Sequence, residues 1–252
     1  MSYSLTLCHM YPDLLNLYGD RGNVLSLIRR ASLHDIDLRV ETISLSDEFN
    51  ASKYDLVFLG GGQDTEQNML RGDFVNNKGP EVKRAIEDGV VFLCVCGGYQ
   101  MLGKYYEEHD GTRIECLGAL DLYTVGEDVR FIQDTIYEVD FLPNVKQMTN
   151  SCILYGFENH SGRTYLGSDV KPLARVIRGA GNNGEDGFEG AHYNNVICTY
   201  SHGSFLPKNP AMTDYLLRTA LVRKYGEEVT WEEVEAPVEM LAREAVAAYL
   251  GI

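Results

Sequence analysis

The fold is decided by residues 90–100, which read Val-Val-Phe-Leu-Cys-Val-Cys-Gly-Gly-Tyr-Gln. Residues 90–95 form an unbroken apolar run, which is typical of a strand buried on both faces of a parallel sheet. Cys96 and two glycines follow at once, and a helix is predicted over residues 99–106. Because α/β proteins build their sites where strands end, Cys96 is the first candidate for a functional residue.

The flanking sequence extends this alternation of strand and helix. Strands are predicted over residues 5–9, 38–45 and 55–59, and helices over residues 24–34 and 80–89. This rhythm predicts an α/β fold with a central, mostly parallel sheet flanked by helices. Residues 113–199 hold short β-like runs separated by turns, so we expect an additional β-rich segment in the second half. Helices over residues 211–224 and 238–250 complete one domain spanning residues 1–252.

Composition excludes several classes of protein. The chain has 252 residues, a net charge of −15 and no run of Lys or Arg, which argues against direct binding of nucleic acid or anionic lipid. The sequence has neither an apolar stretch of about 18 residues nor a signal peptide pattern, so we expect a cytoplasmic protein. The six cysteines fit a reducing compartment. Cys94 and Cys96 have no second pair at zinc spacing nearby, so we predict no metal.

Cys96 has the surroundings of a nucleophile. Its neighbours Cys94 and Gly98 are small, as a strained strand-to-helix turn requires. The N-terminus of the predicted helix favours a thiolate through its dipole and free N–H groups. A buried cysteine before an ordinary glycine turn explains this segment alone equally well.

Glycines supply candidate donors for an oxyanion. Gly97 follows the nucleophile, and Gly61 and Gly62 follow the strand predicted over residues 55–59, on the same edge of the sheet. A glycine N–H can approach a tetrahedral intermediate closely because no side chain intervenes. A plain turn is the alternative. A phosphate-binding loop would need the Walker lysine pattern, which the sequence lacks.

A thiolate also needs a base to manage its proton. Among the six histidines, His202 directly follows the apolar run at residues 196–200, and His160 lies in a polar turn after a predicted strand. Because α/β sites lie at strand ends, His202 is the predicted base. His160 and Gln100 are assigned to supporting positions around the Cys96 and His202 pair.

Three ordered motifs resemble those of class I glutamine amidotransferases, in the cobyric-acid-synthase-like branch. They are Cys96-Gly97-Gly98-Tyr99-Gln100, Gly156-Phe157-Glu158-Asn159-His160 with Gly162-Arg163-Thr164, and Thr199-Tyr200-Ser201-His202-Gly203. The resemblance implies the flavodoxin-like fold of that class. It also implies that Cys96 and His202 are catalytic and hydrolyse L-glutamine to glutamate and ammonia through a thioester.

Four further segments resemble the GatD-type glutaminase subunits of lipid II isoglutaminyl synthase, at residues 15–23, 60–67, 181–186 and 206–210. That family implies a heterodimer with a Mur-ligase-like synthetase, which uses the ammonia to amidate D-glutamate of the lipid II stem peptide to D-isoglutamine in peptidoglycan synthesis. The lipid-linked substrate would bring the complex to the inner face of the membrane. The ATP and the metal of that reaction belong to the partner, so no cofactor is expected in this chain.

Two residues need separate comment. By position, Arg130 resembles the family's glutamine-binding arginine, and a solvated charge beside Glu127 and Asp128 is the alternative. Class I triads place a glutamate two residues after the histidine, where this chain has Ser204. The resemblance implies that the partner supplies the acid that orients the imidazole. We therefore predict weak glutaminase activity from the chain alone and stimulation on complex formation.

Other functions remain open at the level of sequence. The chain would also suit a glutaminase for another amidation such as cobyrinate synthesis, although such a domain is usually fused to its synthetase. A catalytically silent binding subunit is a third reading, which the intact Cys96 and His202 pair disfavours. A cysteine peptidase of related architecture is conceivable, but the motifs at residues 156–164 and 199–203 do not suggest one. Residues 15–23 and 181–186 are candidate partner contacts, or merely a helix-capping loop and a hairpin turn.

Overall fold

A computed structural model describes residues 3–62, 69–142, 152–234 and 237–252. Its strands are β1 (Tyr3–Met10), β2 (Ile36–Ile43), β3 (Leu56–Leu59), β4 (Val91–Val95), β5 (Tyr105–Glu107), β6 (Arg113–Glu115), β7 (Leu122–Glu138), β8 (Ile153–Leu166), β9 (Ala174–Arg178), β10 (Phe188–Glu189), β11 (Ala191–Tyr193), β12 (Val196–Thr199) and β13 (Ser201–His202). Its α-helices include α1 (Arg21–Leu33), α2 (Gly79–Glu87), α3 (Gly97–Leu102), α4 (Phe205–Lys208), α5 (Pro210–Tyr225) and α6 (Pro237–Leu250).

The central sheet has the strand order β11-β12-β4-β3-β1-β2 within the described residues. In this sheet as described, neighbouring strands from β2 to β12 run parallel, and the edge strand β11 is antiparallel to its neighbour. All residues of β3, β4 and β12 are buried, as their continuous apolar sequences predict. The parallel part follows the order of the flavodoxin-like fold, in which the first strand lies between the second and the third. The predicted fold class is therefore confirmed.

A second sheet confirms the additional β-rich segment, but its form differs from the short runs that we predicted. β7 and β8 are strands of 17 and 14 residues that pair as a long antiparallel hairpin. The register of this pairing shifts between Gly126 and Phe131, where β7 carries a mostly exposed, charged stretch. Because that stretch breaks the apolar alternation, the sequence does not reveal the continuity of the strand.

The helix predicted over residues 99–106 is wrong in length. α3 ends at Leu102, and the chain continues as strand β5. Gly103 explains the early end, since a Cβ atom there would lie 2.4 Å from the Leu122 side chain. The close approach of these two segments requires the chain to turn toward the second sheet.

The topology brings four strand ends together. The segments after β1, β3, β4 and β12 all emerge at the carboxyl edge of the central sheet. β13 lies directly beyond β12 and pairs with β8, so His202 stands opposite Phe157 where the second sheet begins. The candidate site therefore lies between the two sheets. In the described parts of the chain, none of the helices has the length and apolarity needed to cross a bilayer.

Candidate active site

The backbone at Cys96 is strained in the way that the sequence predicts. Cys96 has φ 48° and ψ −102°, a conformation that non-glycine residues rarely adopt. Its N–H donates to the Thr199 carbonyl oxygen at 2.9 Å, which ties the turn to β12. A Cβ atom on Gly98 would lie 2.6 Å from the carbonyl oxygen of Leu59. The turn therefore needs a small residue two positions after Cys96, as a nucleophile elbow does.

Cys96 and His202 meet beside Gly61. A Cβ atom built on Gly61 would lie 2.7 Å from His202 Cε1 and 3.5 Å from Cys96 Cβ. His202 is fully buried, and Cys96 is 8% exposed. The structure thus brings together the two predicted catalytic side chains, which are 106 positions apart in the sequence.

The sequence analysis missed Asp20, a carboxylate next to His202. Asp20 is fully buried, and its Oδ1 lies 3.6 Å from His202 Nδ1. Burial by itself would lower the pKa of His202, but the charge of Cys96 and the interaction with Asp20 outweigh it and raise this pKa to about 10. The only signal for Asp20 was its position in the segment 15–23, which we interpreted as a partner contact or a helix cap.

Gly61 does not present its N–H as we predicted. This N–H donates to Asp20 Oδ2 at 2.7 Å, so the carboxylate already occupies the donor assigned to the oxyanion. Gly97 is the first residue of α3, and the first N–H groups of a helix have no acceptor within it. Gly97 therefore remains a predicted donor, and the role of Gly62 stays a prediction from its place in the sequence. Gly61 serves Asp20 in this structure.

Arg130 is connected to the catalytic pair through two side chains. The Arg130 Nη1 group donates to Asn159 Oδ1 at 2.9 Å and to its carbonyl oxygen at 3.1 Å. Asn159 Nδ2 in turn donates to the Tyr18 hydroxyl at 2.7 Å, and the Tyr18 ring meets the His202 ring with centroids 4.9 Å apart. Arg130 is exposed.

His160 and Gln100 both contact Tyr200, which precedes the base by two positions. The His160 ring stacks on the Tyr200 ring with centroids 3.7 Å apart, and burial lowers the pKa of His160. Gln100 Nε2 donates to the Tyr200 hydroxyl at 3.1 Å. The Tyr200 hydroxyl also lies 2.6 Å from Thr164 Oγ1. These contacts surround Tyr200, which directly precedes β13, the strand that carries His202. The supporting role of His160 and Gln100 stays a prediction.

The predicted segment 60–67 is described only up to Gly62, and the remainder lies outside the described residues. Within the described ranges, no group of three His, Cys, Asp or Glu side chains is arranged to hold a metal ion.

The flavodoxin-like sheet carries a strained cysteine turn beside a buried histidine. This combination defines the class of protein as a class I glutamine amidotransferase. The model of the CobB/CobQ-like glutamine amidotransferase domain matches residues 6–210, and the chain belongs to this family.

Individual relatives narrow the comparison. The chain is 41% identical to the lipid II isoglutaminyl synthase (glutamine-hydrolyzing) subunit GatD of Streptococcus pneumoniae, over 99% of this chain and 92% of that one. It is also 41% identical to the GatD subunit of Staphylococcus aureus, over 97% of this chain and 95% of that one. A glutamine amidotransferase from Thermotoga maritima shares the fold with a TM-score of 0.52 at 15% identity, covering 98% of this chain and 99% of that one.

Proposed function

We propose that this chain is the glutaminase subunit of a lipid II isoglutaminyl synthase. It hydrolyses L-glutamine, and a Mur-ligase-like partner uses the ammonia to amidate D-glutamate of the lipid II stem peptide to D-isoglutamine. The observation that carries the proposal is the 41% identity to GatD subunits over nearly the whole length of both chains. The meeting of Cys96 and His202 at Gly61 supports the chemistry.

The first half of the reaction is acylation of Cys96. The thiolate attacks the side-chain amide carbon of glutamine, and the carbonyl oxygen becomes an oxyanion that the N–H group of Gly97 stabilises. His202, protonated because its pKa is raised to about 10, gives its proton to the leaving nitrogen. Ammonia departs as the carbon–nitrogen bond breaks, and a thioester of Cys96 remains.

The second half releases glutamate. Neutral His202 takes a proton from a water molecule, whose oxygen attacks the thioester carbon. The carbon–sulfur bond breaks, glutamate leaves, and the proton on His202 restores the starting thiolate and imidazolium pair. Arg130 binds the α-carboxylate of glutamine in this proposal, because a guanidinium pairs with a carboxylate through two parallel hydrogen bonds. ATP and metal act in the partner subunit in this proposal. All 252 residues of this chain form one amidotransferase domain.

The test is ammonia release from glutamine by the purified chain, alone and with the co-expressed Mur-ligase-like partner. Cys96→Ala should abolish release in both preparations, because the thioester cannot form without the thiol. Cys116→Ala is the matched control, since Cys116 has the same 8% exposure and lies outside the site. Unchanged ammonia release by Cys96→Ala would show that the nucleophile is wrong.

The substrate is tested with glutamine labelled with ¹⁵N in its amide. With lipid II, ATP and the partner present, the label should appear in D-isoglutamine. Label transferred to cobyrinate, and not to lipid II, would favour the alternative amidation that membership of the CobB/CobQ-like family leaves open.

A further inference from the structure

We infer that Asp20 is the positioning carboxylate of His202, supplied by this chain in place of the glutamate that class I triads carry two residues after the histidine. The inference rests on the proposed glutaminase chemistry of Cys96 and His202. It replaces our expectation that the partner supplies this acid.

The first observation is that Asp20 does not cap the helix that it precedes. It stands at the N-cap position of α1, where an aspartate normally accepts a hydrogen bond from the first turn, but its side chain makes no such bond. Oδ2 accepts the N–H of Gly61 instead, and Oδ1 lies 3.6 Å from His202 Nδ1. The carboxylate therefore faces the site and not its own helix.

The second observation is that the facing atoms lack other partners. Among the described residues, Asp20 Oδ1 and both ring nitrogens of His202 are buried without a hydrogen bond. Buried polar atoms of this kind are costly unless they are paired. A shift of about half an ångström would bring Oδ1 into hydrogen-bond range of Nδ1, and catalytic hydrogen bonds often tighten in this way when substrate binds.

The third observation explains why position 204 does not carry the glutamate of the class I triad. The Ser204 hydroxyl donates to the Gly19 carbonyl oxygen at 2.6 Å. A Cβ atom on Gly22 would lie only 2.1 Å from Ser204 Oγ. The turn before α1 therefore packs directly on residue 204, and a glutamate there would displace the turn that carries Asp20. Ser204 therefore stands where the class I glutamate would be and contacts the turn that carries Asp20.

The ionisable groups around His202 are few. Cys96 faces it from the elbow, Tyr18 meets its ring from the turn before α1, and Lys208 of α4 donates through Nζ to its carbonyl oxygen at 3.3 Å. The charge of Asp20 also acts on His9 of β1. Burial nevertheless lowers the pKa of His9 to about 4, so His9 is neutral near pH 7. Asp20 is therefore the carboxylate that interacts with the His202 imidazolium in the described site.

The experiment compares Asp20→Asn with the wild type, as the isolated chain and in the complex. The amide keeps an oxygen for the Gly61 N–H but removes the charge that holds the imidazolium. We expect kcat for glutamine hydrolysis to fall at least about 100-fold in both preparations, with KM little changed. The pH at which His202 loses its proton, followed by NMR of ¹⁵N-histidine-labelled protein, should fall by about one unit or more.

Asp13→Asn is the matched control, because it removes the same charge from an exposed position between β1 and α1. It should leave kcat and the His202 titration unchanged. If Asp20→Asn does not fold, Asp20→Ser carries the same expectations, since its hydroxyl can still accept from Gly61.

A wild-type kcat for Asp20→Asn in the complex would overturn the inference and leave the acid to the partner. An unchanged His202 titration would overturn it too. Failure of the proposed function gives a different result, in which the wild type releases no ammonia from glutamine. The NMR titration decides the Asp20 contact even then, because it needs no turnover.

Discussion

Gly61 is the residue around which the candidate site is assembled. Its missing side chain leaves the space in which His202, Asp20 and Cys96 meet, since a Cβ atom there would lie 2.7 Å from His202 Cε1 and 3.2 Å from Asp20 Oδ2. Its N–H holds the Asp20 carboxylate. The glycine therefore contributes both empty space and a hydrogen bond, and no other residue type provides the first.

Gly61→Ala should consequently inactivate the enzyme. The added methyl group must push the His202 ring away from Cys96, and displacements of about 1 Å in a catalytic group lower rates about 100-fold. We expect kcat for ammonia release to fall by at least that factor in protein that remains folded by circular dichroism. Gly72→Ala is the control, because a Cβ atom there meets nothing within 4 Å. Normal turnover in Gly61→Ala would mean that His202 does not work from this position.

At the residue scale, sequence motifs predicted Cys96 and His202 because each lies directly after a strongly apolar strand. Asp20 escaped prediction because its site partner is 182 positions away and its own sequence context is that of a helix cap. The N–H of Gly61 was assigned to the oxyanion because a sequence does not show which neighbour claims a backbone donor. Pairings across the fold decide both questions.

Among the elements, the short strand β10 holds an unusual buried carboxyl group. Glu189 is fully buried, and its Oε1 accepts hydrogen bonds from Thr199 Oγ1 at 2.6 Å and from the Tyr200 N–H at 2.8 Å. Burial raises its pKa to about 7, although these hydrogen bonds oppose the shift. β10 is thereby fastened to the end of β12, immediately before His202.

This shift predicts how stability depends on pH. The folded chain binds the Glu189 proton more tightly than the unfolded chain, so the free energy of unfolding should fall as pH rises from about 4.5 to about 7. Glu189→Gln keeps the accepting oxygen and cannot ionise. The free energy of unfolding of Glu189→Gln minus that of the wild type should therefore be larger at pH 8 than at pH 5, by on the order of 1–3 kcal/mol.

Urea unfolding at the two pH values measures this difference. Glu228→Gln, an exposed counterpart, should show none. A difference for Glu189→Gln that does not change with pH would mean that Glu189 ionises normally in the folded chain.

Strands were predicted correctly where burial gives the sequence one regular pattern of apolar residues. They were missed where this pattern is interrupted. β3, β4 and β12 are short, wholly buried and apolar, so their sequences indicate them directly. β7 passes from buried residues through the exposed stretch near Arg130 and back to buried residues, and the change of register leaves no continuous alternation. The long hairpin is defined by cross-strand pairing, which local sequence does not encode.

At the scale of the whole molecule, the parallel sheet followed from alternating strands and helices, and the resemblance to class I glutamine amidotransferases implied its flavodoxin-like order. The attachment of the C-terminal helix did not follow, because its sequence carries no motif. In the structure, Arg30 of α1 joins three helices: it forms a bidentate ion pair with Asp214 of α5 and donates to Glu239 of α6 at 2.7 Å. The Arg30 side chain is only 1% exposed. Arg30 therefore ties α6 to α1 and α5.

This junction should contribute to the stability of the molecule without affecting its chemistry. Arg30→Ala removes the cation from two partly buried carboxylates, although His34 Nε2 still lies 3.1 Å from Asp214 Oδ1, and breaking a buried pair in this way costs about 3 kcal/mol. Glu239→Gln weakens only the link to α6 and should cost less, because Glu239 is 18% exposed and Asp214 still pairs with Arg30. Arg29→Ala, at an exposed position on the same helix, should cost nothing measurable.

Urea unfolding gives the free energy of unfolding of the three variants. The kcat measured on folded protein should stay at the wild-type level in all of them, because the junction does not touch Cys96 or His202. Equal losses for Arg30→Ala and Arg29→Ala would show that helix propensity, and not the buried ion pairs, determines the effect.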